Sequence, residues 1–483
     1  MISDWVAEQS PITNHQQLAC DKLGFEQTDS RNRVQRLTAV ILAAFLLVGL
    51  GLVYWGILSG PVILAREDNP RLVETELRIQ RGTIFSTNEE ILAETVGPED
   101  DLRRNYPTIN IGPAVGYYSF RHGTSGVEEG LDAVLRGDPD SFWEAYFEHE
   151  LLHEPQSGRD IRLTLNARWQ RAAETLLGEE KGATLLLTMP DGAIRAMASH
   201  PGYDPNLLDE QFDMLTADAD APLLNRVTQG QYQPGRILQP LLMAYALNEG
   251  LINLTTAALG VERPVAVNGT ALNCLYPVPV EPTWASAFAA QCPGMSAELG
   301  GILGISGLQR AFIDFGLLTA PELPIQTETA VDVVVEDPVL AAVGQETLTV
   351  SPLQMALALS VLGNNGERVQ PQLVQAIQNT AGEWQTQTAG QPQTAGQPVE
   401  VLTPAAAQAI YDLLPIFNGI AEYSTLVLSG PDGSQNGWYF GMAPSGSPRY
   451  LVIVVVEETD NVFEAQRIGR SLLRTVLLPE TES

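Results

Sequence analysis

Few residues in this sequence could act as a nucleophile or as its base. Lys22 and Lys181 are the only lysines, and neither has a serine three residues before it, so the chain contains no Ser-x-x-Lys pair. A serine activated by a lysine one helical turn later therefore has no candidate. The serines that could act as a nucleophile elsewhere are more simply turn or surface residues: Ser199, Ser286, Ser429 and Ser434.

The five histidines add no catalytic or metal-binding pattern. His153 and His200 flank loops and show no recognisable order of Ser, His and Asp. Paired His or Cys residues at the spacing of metal ligands are also missing from the sequence. The sequence therefore predicts neither a metal site nor a cofactor.

Three cysteines are present, Cys20 in the leading region and Cys274 and Cys292 far beyond it. If the last two face an oxidising compartment, a disulfide between them would add about 3 kcal/mol by the chain-entropy estimate. Two unpaired buried thiols are the alternative, and the sequence leaves both open.

The charge of the chain excludes one class of partner. A formal net charge of -31 over 483 residues opposes binding to phosphate backbones, which needs clustered Lys and Arg. Nucleic acid is therefore not an expected partner, and the acidic surface is interpreted as an aid to solubility.

Residues 37–65 contain no charged side chain and are long enough to cross a bilayer as one helix. Three arginines precede this segment between residues 31 and 36, and Glu67 and Asp68 follow it. This asymmetry predicts a cytoplasmic tail over residues 1–36 and an extracytoplasmic bulk at the plasma membrane. A cleaved signal peptide is disfavoured because the apolar run exceeds the usual length of a signal core, about 7 to 15 residues.

Beyond the apolar segment, the patterns favour an α+β fold. A helix is predicted after Asn166 and before Gly178, and hairpins are predicted in ATLLLTMPDGAIRAMAS and in NGWYFGMAPSGSPRYLVIVVVEE. An amphipathic helix follows the second hairpin, so distant parts of the chain are expected to share one sheet. Residues 66–155 are expected to form a smaller module, residues 156–478 the main domain, and residues 379–399 a flexible insertion.

Five collinear fragments resemble penicillin-binding proteins: DIRLTLNARWQRAAETLL, KGATLLLTMPDGAIRAMASHPGYDPN, PLLNRVTQGQYQPG, GQETLTVSPLQMALALSVLGNNG and GWYFGMAPSGSPRYLVIVVVEE. The earlier RIQRGTIFSTNEEILAETV resembles the start of the class B kind, and VGYYSFRHGTSGVEEGLDAVLRGD resembles a pedestal or dimerisation module. The resemblance implies the transpeptidase fold, similar to serine β-lactamases, with an antiparallel sheet flanked by helices. It also implies acyl transfer on peptidoglycan stem peptides by the motifs Ser-x-x-Lys, Ser-x-Asn and Lys-Thr-Gly.

This sequence departs from the family at each of these motifs. Arg236 stands where the family has the nucleophilic serine, and Gln239 where it has the lysine. A guanidinium stays protonated and a carboxamide accepts no proton, so neither residue can replace the one it stands for. Arg236 is expected to obstruct the pocket or to form a new polar contact, most simply with a carboxylate of the protein itself.

Alignment of the second motif places Gln291 at its serine and Pro293 at its asparagine. Alignment of the third motif places Gly430, Pro431 and Asp432 at Lys-Thr-Gly, within one residue of register. A proline that pairs poorly in a strand and an aspartate that repels a carboxylate would both weaken substrate binding there.

The sequence therefore predicts a catalytically inactive penicillin-binding-protein homologue that serves as a scaffold, regulator or partner subunit in cell-wall synthesis. The resemblance implies a single-pass anchor and a polytopic glycosyltransferase of the SEDS type as a partner. Two alternatives stay open. One is an active transpeptidase or acyl hydrolase with a relocated nucleophile, and the other is a receptor that binds stem peptides or β-lactams non-covalently through Arg236.

Overall fold

A computed structural model describes residues 15–55, 78–98, 101–108, 110–138, 156–386, 398–430 and 433–478, with side chains from residue 32 onward. The chain divides into two compact units, residues 1–77 and residues 78–483, and each is described by itself. His153 lies outside the described residues.

The first unit contains one long helix, α1 (His15–Val53). Its part from Asn32 to Val53 is 22 residues long and contains an 18-residue window with a mean hydropathy of 2.3, none of which is buried within the protein. That length and composition suit a membrane span. The helix begins within the predicted tail of residues 1–36, and the end of the predicted span, residues 56–65, lies outside the described residues.

The second unit is built on a six-stranded antiparallel sheet in the order β15-β16-β17-β18-β7-β8. Its strands are β7 (Gly182–Thr188), β8 (Ile194–His200), β15 (Ile416–Phe417), β16 (Ile420–Leu428), β17 (Gln435–Ala443) and β18 (Tyr450–Val456). Both predicted hairpins are confirmed, as β7 with β8 and β17 with β18. Pairing of β18 with β7 brings the two ends of the domain into one sheet, as expected.

A second six-stranded sheet has the order β13-β12-β6-β1-β2-β3. Its strands are β1 (Ile84–Phe85), β2 (Ile91–Val96), β3 (Arg103–Asn105), β6 (Ile161–Leu163), β12 (Val374–Gln378) and β13 (Trp384–Thr386). The remaining strands form three pairs: β4 (Gly116–Ser119) with β5 (Gly123–Gly126), β9 (Val265–Val267) with β10 (Thr270–Leu272), and β11 (Glu367–Arg368) with β14 (Val399–Glu400).

The second sheet connects the expected smaller module to the main domain. Strand β1, within the expected module of residues 66–155, pairs with β6, and β6 pairs with β12 of the main domain. The expected flexible insertion of residues 379–399 begins with an ordered strand, since β13 pairs with β12 and Arg162 stacks 4.4 Å above the ring of Trp384. Residues 387–397 of that insertion lie outside the described residues.

Helices cover both faces of the first sheet. The helices described in this unit are α2 (Gly112–Val115), α3 (Val127–Gly130), α4 (Asp132–Arg136), α5 (Ala167–Leu177), α6 (Leu208–Ala217), α7 (Gln239–Asn248), α8 (Trp284–Ala289), α9 (Pro293–Asp314), α10 (Pro338–Val343), α11 (Pro352–Gly363), α12 (Pro404–Tyr411) and α13 (Val462–Leu477). Helices α5 and α13 pack on one face, whereas α7 and α11 are almost wholly buried in the core against the other. A helix buried on all sides reads as continuously apolar, which is why α7 and α11 lack an amphipathic pattern.

Helix α5 follows the sequence prediction closely. The side chain of Asn166 accepts hydrogen bonds from the backbone N–H groups of Arg168 and Trp169, and Gly178 ends the helix. Within the helix, the Gln170 amide donates to Glu174 Oε1 at 2.8 Å and to the Met197 carbonyl at 2.8 Å. This contact fixes α5 to β8 and places Glu174 beside the same amide.

A buried ion cluster holds the module that precedes the main domain. The Glu128 carboxylate lies 2.8 Å from Arg81 Nη2 and 2.6 Å from Arg104 Nε, and it also accepts a hydrogen bond from Tyr106 Oη. Burial alone would raise the pKa of Glu128, but the two guanidinium groups hold it below its ordinary value. Both charges of each pair are compensated, as a buried ion pair requires.

Replacement of Glu174 by glutamine should change the pH dependence of stability. Burial raises the pKa of Glu174 from 4.5 to about 7, so the native state holds a proton that the unfolded state releases at lower pH. The free energy of unfolding therefore falls as pH rises between these values. Glu174→Gln should stabilise the protein by about 1–3 kcal/mol at pH 8 and leave it unchanged near pH 4. Urea unfolding at both pH values measures this, and an equal gain at both would contradict it.

Candidate functional site

The first motif segment enters a buried helix. Residues Gly235–Leu238 form a 3-10 turn that continues directly into α7. Gly235 has a φ of +50°, and a Cβ there would lie 2.5 Å from a Val427 methyl group, so only glycine fits between the turn and β16. This close approach places Arg236 and Gln239 against β16, one helical turn apart.

Arg236 is half-buried and donates hydrogen bonds to three separate segments. Its Nε donates to Thr425 Oγ1 on β16 at 3.0 Å, and its Nη1 donates to the carbonyls of Asn273 at 3.2 Å and Gln291 at 3.4 Å. All of these acceptors are neutral oxygens. Within the described part of the chain Arg236 has no carboxylate partner, so the expected internal ion pair is not found among these residues. Burial lowers the pKa of Arg236 below its ordinary value.

Gln239 is fully buried and links the same walls of the site. Its Nε2 donates to the Cys292 carbonyl at 2.8 Å, and its Oε1 accepts from Tyr423 Oη at 2.6 Å. Burial raises the pKa of the Tyr423 hydroxyl, so this group stays protonated and donates. The Gln239 side chain therefore holds two neighbours in place, and a carboxamide takes up no proton.

These contacts define a brace, which we name by its two donors as the Arg236–Gln239 brace. It joins the start of α7 to β16, to the segment at residue 273 and to the segment at residues 291–292. Each of these segments forms a wall of the site. The hydrogen bonds that cross the cleft therefore join one part of the protein to another. The family resemblance implies instead that side chains at these positions act on a substrate.

The second motif segment lies at the start of α9. Gln291 has a φ of +52° and is 6% exposed, and its Oε1 is buried without a hydrogen-bond partner in the described structure. Pro293 is the first residue of α9, where its missing N–H is tolerated. Gln291 therefore contributes its backbone carbonyl to the site, where it accepts a hydrogen bond from Arg236. Pro293 begins the helix. Cys292 is joined to Cys274 by a disulfide.

The third motif segment does not lie where the sequence alignment placed it. Gly430 follows the end of β16 at Leu428 and belongs to the connection between β16 and β17, and Pro431 and Asp432 lie outside the described residues. On β16 itself, Tyr423 and Thr425 contact Gln239 and Arg236. The strand that borders the site thus presents a tyrosine and a threonine. The uninterrupted run IAEYSTLVL was the signal that could have found them.

The serines considered as relocated nucleophiles have structural partners. Ser199 donates to the Leu224 carbonyl at 3.2 Å, and Ser286 completes the capping box of α8 with Thr283. Ser429 and Ser434 face each other across the β16–β17 connection, with 3.2 Å between their hydroxyl oxygens. None of these contacts joins a serine to an amine or an imidazole.

The surroundings of Lys181 keep its amine charged, so it does not suit the role of a catalytic base. Its Nζ lies 2.8 Å from Asp220, 3.4 Å from Glu457 and 3.4 Å from Glu458. The hydrogen bond to Asp220 is the main cause that raises the pKa of Lys181 above its ordinary value. A base needs a neutral amine, and this environment favours the charged one. Among the described residues, no group of His, Cys, Asp and Glu side chains could hold a metal ion.

A small cavity adjoins the brace. It has a volume of about 140 Å³, and its walls include Arg236, Gln345 and Gln435 together with apolar side chains of β16 and α10. Gln345 Nε2 donates to the Leu428 carbonyl at 3.3 Å, so the cavity lies along the edge of β16. Its one charged wall residue is Arg236.

Comparison with known proteins agrees with this architecture. A profile described as the penicillin binding protein transpeptidase domain matches residues 182–414, and one described as the penicillin binding protein A dimerisation domain matches residues 81–161. Peptidoglycan D,D-transpeptidase PbpA of Mycolicibacterium smegmatis is 26% identical over 463 residues, which are 88% of this chain and 93% of that protein. PbpA of Mycobacterium tuberculosis is 26% identical over 491 residues, or 92% of this chain and 99% of that protein.

Solved structures share the same fold. The penicillin G acyl-enzyme complex of penicillin-binding protein A from M. tuberculosis has a TM-score of 0.74 at 24% identity and covers 83% of this chain and 100% of its own. Penicillin-binding protein 2 of Pseudomonas aeruginosa has a TM-score of 0.69 at 22% identity over 84% of this chain and 97% of its own. The fold and both profiles define a transpeptidase-domain protein with a preceding dimerisation-type module. The chain belongs to the penicillin-binding protein family, in its class B transpeptidase branch.

Loss of the Gln239 amide should destabilise the protein strongly. Gln239→Leu leaves the Tyr423 hydroxyl and the Cys292 carbonyl buried without partners, at a cost of about 2–5 kcal/mol in total. Tyr423→Phe added to Gln239→Leu should recover part of this loss, because the orphaned hydroxyl is removed. Denaturant unfolding of the single and double variants measures the effect.

A matched control is Gln408→Leu on the exposed face of α12, where the amide contacts only Asp412. That change should alter the free energy of unfolding by less than about 0.5 kcal/mol. Equal losses for Gln239→Leu and Gln408→Leu would show that the brace carries no stability.

Proposed function

We propose that this chain is a catalytically inactive member of its family that acts as a scaffold or regulatory subunit in peptidoglycan synthesis. One observation carries the proposal: a guanidinium and a carboxamide occupy the positions of nucleophile and base, and both are engaged in hydrogen bonds to the walls of the site. Loss of a nucleophile and its base costs about a millionfold in well-studied serine enzymes. The preserved fold then supports a role through binding.

The proposed lack of activity contrasts with the names of the relatives. Proteins of similar length and order are named peptidoglycan D,D-transpeptidases, and a solved relative is described as a penicillin G acyl-enzyme complex. An acyl-enzyme requires a nucleophile, and in this chain Arg236 stands at the position that the family resemblance assigns to that serine. A membrane span at Asn32–Val53 would hold the protein at the site of wall synthesis, with residues 1–36 cytoplasmic and the domain outside. A polytopic SEDS-type glycosyltransferase is the partner that we propose for that span and the module after it.

A second candidate function has support from one specific observation. Arg236 keeps its charge without a carboxylate partner in the described structure, and it borders a cavity of about 140 Å³. A partly desolvated cation is stabilised when an anion binds beside it. This supports a non-covalent receptor for the carboxylate end of a stem peptide.

Covalent labelling tests the inactive assignment. The purified chain, incubated with a fluorescent penicillin and boiled in denaturant, should show no labelled band, whereas penicillin-binding protein A of M. tuberculosis serves as the positive control. The double variant Arg236→Ser/Gln239→Lys should also stay unlabelled, because Gln291 and Pro293 still stand at the serine and asparagine of the second motif. A labelled band from the unmodified chain would overturn the proposal.

The scaffold role has a separate test. Extraction in mild detergent and affinity purification of the full chain should recover a polytopic glycosyltransferase. A matched variant with residues 32–53 replaced by an unrelated apolar helix should lose that partner while it stays in the membrane. Recovery of the chain alone in repeated purifications would count against a partner subunit.

The receptor role is measured by titration calorimetry with a peptide that ends in D-Ala-D-Ala and with its C-terminal amide. Binding of the acid but not of the amide, lost in Arg236→Met, is the expected result for a receptor. Equal binding of acid and amide, or binding that survives Arg236→Met, would show that Arg236 does not hold a carboxylate.

A further inference from the structure

The Cys274–Cys292 disulfide connects the two carbonyls that hold Arg236. Asn273 and Gln291 each directly precede one of the bonded cysteines, and both carbonyls accept from the same nitrogen, Arg236 Nη1. The disulfide therefore fixes the distance between two acceptors of one guanidinium. A bond that merely closed a surface loop would have no such relation to the site.

The same bridge also supports the other half of the Arg236–Gln239 brace. The carbonyl of Cys292 accepts from Gln239 Nε2 at 2.8 Å. Near the other cysteine, the backbone N–H groups of Leu275 and Tyr276 both donate to the Ala290 carbonyl, at 3.0 and 3.2 Å. The two ends of the loop are thus aligned side by side, and three of the five hydrogen bonds of the brace depend on their position.

The two sulfur atoms differ in their surroundings. Cys292 is fully buried, whereas Cys274 is half-buried and is followed by the exposed side chains of Leu275 and Tyr276. Thiol–disulfide exchange needs access of a thiolate to one sulfur. Cys274 therefore offers the approach, and Cys292 is the sulfur that would leave.

We propose that the Cys274–Cys292 pair is a thiol-exchange site for a dithiol reductant, and that its reduction opens the Arg236–Gln239 brace. A thiolate of the dithiol attacks Cys274 Sγ, the sulfur–sulfur bond breaks, and its electron pair remains on Cys292 Sγ, which takes a proton from water. The second thiolate of the dithiol then attacks the mixed disulfide and releases Cys274, which is also protonated. The dithiol ends as a disulfide, and two electrons and two protons have passed to the protein.

Opening the bridge would change the site in a defined way. The carbonyls of Asn273 and Gln291 would no longer be held at one distance, so Arg236 would keep only its bond to Thr425 and its charge would become available to a ligand. This inference rests on the proposed function in so far as Arg236 serves to brace the site. Penicillin labelling tests that function separately.

Exchange in the native protein is the first test. The full chain in detergent is incubated with reduced glutathione that contains no glutathione disulfide. The reaction is quenched with N-ethylmaleimide, and the protein is digested for mass spectrometry. The expected result is a glutathione adduct on Cys274 and an alkylated Cys292, formed without denaturant. A bond that reacts only at denaturant concentrations that unfold the protein, or an adduct on Cys292 instead, would overturn the proposal.

Hydrogen exchange tests the coupling to Arg236. Reduction with dithiothreitol should speed amide exchange over residues 273–292 by roughly tenfold or more, while the β17–β18 hairpin stays protected. In the oxidised protein Arg236→Met should speed exchange in the same residues, and in the reduced protein it should add little. If Arg236→Met changed the exchange rate equally in the oxidised and reduced proteins, the disulfide would not be coupled to the brace.

A second variant guards against a general loss of structure. Arg263 lies near the same loop but takes no part in the brace, so Arg263→Met should leave the exchange of residues 273–292 unchanged in both redox states. Unchanged exchange over residues 273–292 on reduction of the wild-type chain would refute the opening.

Discussion

The hydrogen bonds of Arg236 and Gln239 are the interaction on which the site depends. Two polar side chains, one helical turn apart at the start of a buried helix, bind strand β16 on one side and the backbone at residues 273 and 291–292 on the other. Buried polar groups are tolerated only when they are paired. Here the pairing is made across the cleft, so the two side chains hold the walls of the site together.

The surrounding fold makes this joint feasible. Gly235, with its φ of +50°, lets the turn before α7 approach Val427 on β16, and a Cβ on Gly344 would lie 2.4 Å from the Gly235 nitrogen. The close packing of two glycines and a strand leaves little room between the walls. A long side chain at position 236 can therefore reach three segments at once, and a carboxamide at position 239 is enough to connect two more groups.

Much of the fold was predictable because its signals are local. The Asn166 cap, the Pro190–Gly192 turn and the apolar run of β18 depend on neighbouring residues, and each element formed where the pattern indicated. Module boundaries were less predictable, because β6 joins strands that lie more than two hundred residues apart in the sequence, such as β1 and β12. Sheet membership of this kind is decided by tertiary pairing.

The site shows the same division. Positions 236 and 239 could be located because they follow directly on the fragment PLLNRVTQGQYQPG, and the structure places the two side chains together. The third motif was misplaced because the length of the β16–β17 connection cannot be read from the strand pattern, so Tyr423 and Thr425 were missed. The acceptors of Arg236 were not foreseeable either. Two of them are backbone carbonyls, which every residue carries, and only the folded chain shows which ones face a guanidinium.

The most direct measurement of the central claim is a crystal structure of the full chain soaked with penicillin G. The account predicts Arg236 Nε within hydrogen-bond distance of Thr425, Gln239 between Tyr423 and Cys292, and no covalent density on any serine. An opened β-lactam bonded to a serine oxygen, with Arg236 turned away from β16, would contradict it.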